Sequence, residues 1–124
     1  MIKIICKKVA YCLPSDIRYI FGTNIELAGG KSFRDILSDS DPVYQCTISN
    51  LTPGALVEET LSISLLEPGH ELVKLPSTQA VLKLTTDSDD IIIMGNQLYP
   101  AVYSIHSSGK RITLDFTVQR PFTP

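Results

Sequence analysis

The sequence predicts a mainly β protein, an antiparallel sandwich or partly open barrel of about seven or eight short strands with one or two short helices. Apolar and polar residues alternate with a period of two in several segments, and turn-forming residues separate those segments. The long helices that a doubly wound sheet needs between its strands are not predicted anywhere. We expect the 124 residues, 1–124, to form one domain.

Two segments show the alternation most clearly. Apolar side chains occupy every second position in residues 61–65 and again in residues 112–118, and polar side chains occupy the positions between them. Each segment would bury one face and expose the other. Shorter apolar segments bounded by turn residues predict the remaining strands: Ile2–Cys6, Ile17–Phe21, Val43–Ser49, Ala80–Thr86, Ile91–Gly95 and Ala101–His106.

Three hairpin turns and two helical segments are predicted between these strands. The turns are the acidic segment Asp87–Asp90, the segment Ser107–Lys110 and the segment Asn50–Gly54. Ser32 and Asp35 have the spacing of a capping box, which predicts a short helix at residues 33–38. A second helical turn is predicted within residues 69–75.

Composition excludes several functional classes. The formal net charge is −2, which is unlike the basic surface of a nucleic-acid-binding or membrane-binding protein. No apolar run has the length of a signal peptide or of a membrane span. We therefore expect a chain that is cytoplasmic when it is synthesised and has no nucleic-acid or membrane partner.

The three cysteines, Cys6, Cys12 and Cys46, form an odd set, which favours free thiols in a reducing compartment. On one continuous strand Cys6 and Cys12 would share a face about 20 Å apart, too far for a disulfide. We expect buried free thiols.

No segment predicts a catalytic, metal or cofactor site. Gly29–Ser32 resembles the end of a phosphate-binding loop, but the required first glycine is replaced by Ile25, so a turn is favoured. The acidic turn lacks the glycine and glutamate of a calcium loop. His70 and His106 lack zinc-ligand spacing. A small hydrolase would need Cys46 or Cys12 within about 3 Å of one of these histidines, and we predict no enzyme.

Tyr99, Pro100 and Tyr103 form the candidate interaction surface. Tyrosine side chains beside a proline are typical of interfaces, although a ring packed over the neighbouring proline explains Tyr99-Pro100 equally well.

An order of features in residues 29–120 resembles small β-rich proteins encoded in prophage-like regions of Bacteroidetes. The features are Gly29-Gly30, residues 33–37, the segments that contain Tyr44 and residues 61–65, the strand Val81–Thr86 with its acidic turn, the strand Ile91–Asn96, Leu98–Pro100 and the final strand from Arg111. The resemblance implies a structural component of a virion, at the tail or the head–tail connection, that has no catalytic residues and assembles into rings.

The sequence therefore predicts a non-enzymatic structural or assembly protein, a homo-oligomer or a partner of other virion proteins. The alternative is a monomeric binding module for a peptide or a carbohydrate. That module would use Tyr99, Tyr103 and the loop Asp87–Asp90.

Overall fold

The computed structural model describes residues 2–50, 54–66, 71–74 and 78–121. Strands make up 68% of the molecule, which confirms the predicted mainly β class. The ten strands are β1 (Ile2–Cys12), β2 (Ile17–Phe21), β3 (Asn24–Leu27), β4 (Arg34–Ile36), β5 (Val43–Asn50), β6 (Ala55–Ser64), β7 (Gln79–Thr86), β8 (Ile91–Met94), β9 (Ala101–Ser108) and β10 (Arg111–Pro121). Two short 3₁₀ helices, Pro14–Asp16 and Glu71–Val73, complete the described elements.

Eight strands form one antiparallel sheet in the order β4-β1-β5-β6-β10-β9-β7-β8, and β2 pairs with β3 as a separate hairpin. An additional pairing of β1 with β7 closes the large sheet on itself, so that β1, β5, β6, β10, β9 and β7 form a ring. The closure uses different stretches of β1, because residues 2–5 pair with β5 and residues 6–12 pair with β7. Closing the sheet leaves fewer free edges for unwanted pairing.

The main core fills the inside of this ring. Its largest fully buried side chains come from strands on opposite sides, and include Leu61, Ile63, Leu82, Leu84, Met94, Leu114 and Phe116. A smaller core lies under the β2–β3 hairpin, where Cys12, Ile17 and Val81 are buried. The end of β1 is therefore covered on both faces, which explains why Val9, Ala10, Tyr11 and Cys12 are buried consecutively.

A register shift between Cys6 and Lys8 overturns the expected relationship of the two N-terminal cysteines. The extra residue reverses which side chains face inward along the rest of β1. Cys6 therefore lies in the main core and Cys12 in the smaller one, rather than on one face. All three cysteines are free, with Cys6 and Cys12 buried as expected and Cys46 half-buried.

The predicted helix at residues 33–38 is wrong. Residues 34–36 form strand β4, which pairs with residues 9–11 of β1 and buries Ile36 to 4% exposure. A capping box stabilises a helix of six residues only slightly, because a helix this short has few internal hydrogen bonds. Pairing with β1 satisfies the same backbone groups and adds to the core.

The other local predictions have mixed outcomes. The helical turn predicted within residues 69–75 is present at Glu71–Val73, and the remaining residues of that prediction, apart from Lys74, lie outside the described part of the chain. Strand β3 was not predicted, and β1 continues through Lys7 and Lys8 to Cys12. The Ser107–Lys110 turn is confirmed, with Gly109 at φ +63°. Residues Asn50 and Ala55 pair across the third turn, whose central residues 51–53 lie outside the described ranges.

Candidate functional site

The structure places Tyr103 in the core, so the prediction that its side chain lies at an interaction surface is wrong. Tyr103 is 3% exposed and its ring centroid lies 5.1 Å from that of Phe116. Its hydroxyl donates a hydrogen bond of 2.7 Å to the Leu72 carbonyl, and burial raises the pKa of the phenol. Tyr103 therefore joins strand β9 to the 3₁₀ helix Glu71–Val73.

Tyr99 and Pro100 lie half-buried in the loop between β8 and β9. Tyr99 packs against the main core. The Asn96 side-chain oxygen accepts hydrogen bonds from the backbone N–H groups of Leu98 and Tyr99, at 2.9 and 2.7 Å. The large apolar residue that this loop exposes to solvent is Leu98, at 77% exposure, which the sequence analysis did not select.

The acidic turn connects β7 and β8, as predicted, but a threonine organises it. The Thr86 hydroxyl accepts a hydrogen bond of 3.0 Å from the Asp90 N–H, and Asp89 adopts a φ of 70°. The Lys7 ammonium of β1 forms an ion pair with the Asp89 carboxylate. In the described part of the chain, no group of three His, Cys, Asp or Glu side chains could hold a metal ion.

His106 takes part in a polar network on the outer face of β6, β9 and β10. Its Nε2 lies 3.0 Å from the Asp115 carboxylate and 3.2 Å from the Ser104 hydroxyl, and Ser62 donates to Asp115 at 2.6 Å. In a catalytic triad the carboxylate and the nucleophile hydroxyl contact different ring nitrogens. Here Nε2 meets both, so this geometry does not activate Ser104. His70, the other predicted candidate, lies outside the described residues.

A charged cluster lies inside the ring of strands. Glu59 is 4% exposed, accepts a hydrogen bond from the Tyr44 hydroxyl, and has the Arg120 Nε at 3.6 Å from its carboxylate. Burial, and then the neighbouring Glu59 carboxylate, raise the pKa of Tyr44. The cluster therefore pairs a buried carboxylate with two partners and favours one strand register.

The outer face of the sheet carries a pair of exposed apolar side chains on neighbouring strands. Ile5 and Val43 are cross-strand partners, and they are 48% and 38% exposed. Beside them lies a groove of about 450 Å³ whose lining includes Pro42, Val43, Thr60, Ser62 and Thr117. We call Ile5, Val43 and this groove the Ile5–Val43 face. The period-two pattern could have located it, because Tyr44 and Ile4 face the core and their neighbours must face outward.

Comparison with protein-family models, with curated proteins and with solved structures finds no match to this chain. Among the described residues, no helix has the length and apolar character needed to cross a membrane.

Proposed function

We propose that this chain is a non-enzymatic structural or assembly protein that functions by contact with further copies of itself or with neighbouring subunits. The Ile5–Val43 face carries the proposal. Two β-branched side chains lie side by side on the outer surface of a sheet, where a polar pair would be expected of a face that meets only water.

The groove beside this pair is lined by small polar residues together with Gln45 and the acidic residues Asp41 and Asp115. Thr60, Ser62 and Thr117 line the groove next to Val43, and its lining includes no lysine, arginine or glutamate. Long charged side chains lose conformational entropy when an interface orders them, and the core of an interface is depleted of them. The face is therefore suited to packing against a protein surface.

We further propose that the assembly is a virion, with this chain at the tail or the head–tail connection. The support is the resemblance of residues 29–120 to prophage-encoded β-rich proteins, together with the ring-closed sheet, which gives a rigid subunit. The rival binding module loses one of its two aromatic residues, because Tyr103 is buried. Its other elements, the half-buried Tyr99 and the exposed acidic turn, form no aromatic patch in the described structure.

Light scattering on a concentration series of the purified chain, followed by electron microscopy of the heaviest species, tests this function. We expect a mass that is a whole multiple of the 13.7 kDa chain and closed particles of uniform size. A mass of one chain at every concentration would overturn the proposal of self-assembly.

A further inference from the structure

The Ile5–Val43 face carries two charged side chains, one on each side of its apolar centre. Lys3 is the cross-strand partner of Gln45, which lies two residues, about 7 Å, to one side of Val43 along β5. Cross-strand partners point to the same face of a sheet, so Lys3 shares the outer face with Gln45, which lines the groove. Asp41 lies two residues to the other side of Val43 and also lines the groove. The order along the strands is therefore cation, apolar pair, anion.

Neither of these two charges is paired within the molecule. Lys3 and Asp41 are both exposed, and among the described residues neither forms an ion pair. The other carboxylate of the groove lining, Asp115, already lies 3.0 Å from the His106 Nε2 and accepts a hydrogen bond of 2.6 Å from Ser62. Asp41 is therefore the carboxylate that this face offers to a partner, and Lys3 is the cation.

This order of charges makes the face complementary to itself. Consider a two-fold axis that passes over the Ile5–Val43 pair, perpendicular to the strands and parallel to the sheet. The rotation reverses the order along the strands, so Lys3 of one copy meets the partner's Asp41, and the two apolar pairs pack on each other. The same contact is made twice, which is the property of an isologous interface. Sheets packed face to face lie about 10 Å apart, a gap that side chains of these sizes fill.

We propose that two copies of this chain form a two-fold symmetric dimer through the Ile5–Val43 face, in which Lys3 of each copy pairs with the partner's Asp41. The inference rests on the proposed assembly function and specifies its partner, a second copy, and its symmetry. The apolar centre supplies affinity by burial. The charges set the relative orientation of the copies, because complementary charges contribute more to specificity than to affinity. Packing with the strands parallel would instead place the two copies of Lys3 side by side, where like charges repel.

Charge reversal on each side of the pair tests the contact. Sedimentation equilibrium gives the dissociation constant of the dimer for the wild type and for K3E, D41K and the double variant K3E/D41K. Each single variant brings two pairs of like charges together, so we expect dimerisation to weaken about tenfold or more. The double variant restores opposite charges at both contacts and should recover an affinity close to that of the wild type. K31E makes the same change of net charge at an exposed lysine outside this face and should leave the affinity unchanged.

An equimolar mixture of K3E and D41K tests the two-fold arrangement itself. The K3E chain carries a carboxylate at both positions, and the D41K chain carries an ammonium group at both. Each contact of the mixed dimer therefore joins opposite charges. We expect the mixture to dimerise at concentrations where each variant alone sediments as a single chain.

The outcomes separate this inference from the assembly function on which it rests. A wild-type oligomer that K3E and D41K leave intact would overturn the two-fold contact and leave assembly standing. The same holds for an equal loss of affinity in K3E and K31E, or for a double variant and a mixture that both fail to associate. A wild type that sediments as one chain at every concentration would overturn self-assembly, and the dimer with it.

Discussion

The Tyr44 hydroxyl donates a hydrogen bond to the Glu59 carboxylate across strands β5 and β6, inside the ring of strands. Glu59 is the register partner of Cys46, so the bond runs diagonally between neighbouring pairs. Arg120, partly exposed, approaches the same carboxylate from β10. A slip by one residue in the pairing of β6 would move this carboxylate to the other, exposed face of the sheet. The contacts from β5 and β10 would then be lost, so they stabilise the observed register.

Removing the Tyr44 hydroxyl should therefore destabilise the fold. We expect Y44F to lower the free energy of unfolding by about 1–3 kcal/mol, because the buried Glu59 carboxylate loses a hydrogen-bond donor. Urea unfolding followed by circular dichroism measures the change. The matched control is Y19F, which removes a hydrogen bond to Glu26 at the surface from a tyrosine that is 55% exposed and should shift the unfolding midpoint much less. Equal midpoints for Y44F and the wild type would contradict the structural role of this bond.

Stability should fall with pH in the alkaline range, partly through Cys12. Burial raises the pKa of this thiol from 9.0 to about 11. Between these values the unfolded chain has released the proton and the folded chain retains it, so the unfolded state binds fewer protons and stability decreases as pH rises. The contribution is fully present below pH 9.0 and is lost at up to about 1.4 kcal/mol per pH unit as the pH rises from 9.0 to about 11.

The C12A variant tests this dependence. It lacks the titrating group, so its free energy of unfolding should decline less steeply than that of the wild type between pH 9.0 and 11. Tyr44 and Cys6, whose pKa values are also raised by burial, leave a residual slope. Chemical denaturation at a series of pH values gives both slopes. Identical slopes would show that the Cys12 thiol is solvated in the folded state.

Gly95 should not tolerate a side chain. Its φ is +91°, and a Cβ at this position would lie 2.8 Å from the backbone nitrogen of Ala101. We expect G95A to destabilise the protein by about 1–3 kcal/mol, because the strain falls on backbone atoms that cannot move away. In G54A the added Cβ meets nothing within 4 Å, so thermal unfolding of this variant should match the wild type. The account of the β8–β9 loop fails if both variants melt at the same temperature.

The sequence predicted the strands well because their signal is local. Residues 112–118 alternate strictly, and β10 places Leu114, Phe116 and Val118 in the core. Strand β8 ends at Met94, one residue before the prediction, where Gly95 takes a positive φ. The helix predicted at residues 33–38 failed because a non-local partner decides the conformation. Only the presence of β1 beside Arg34–Ile36 makes an extended segment the better solution.

The candidate site depended on information that alternation does not contain. Alternation assigns Tyr103 to one face of β9, but it does not say which face Phe116 covers. No glycine, proline or other turn residue marks the bulge after Cys6 in the sequence. The face on which Cys12 lies could therefore not be predicted. Glu59 shows the same limit, since a glutamate in a strand is expected to face water unless its partners, Tyr44 and Arg120, are known.

The measurement that tests assembly through the Ile5–Val43 face most directly is sedimentation velocity of V43K beside the wild type and L98K. The first variant places a charge on the proposed contact, and the second makes the same kind of change at the exposed loop between β8 and β9. We predict that wild type and L98K sediment as the same oligomer and that V43K sediments as a single chain. An unchanged oligomer in V43K, or a wild type that sediments as one chain throughout, would contradict the account.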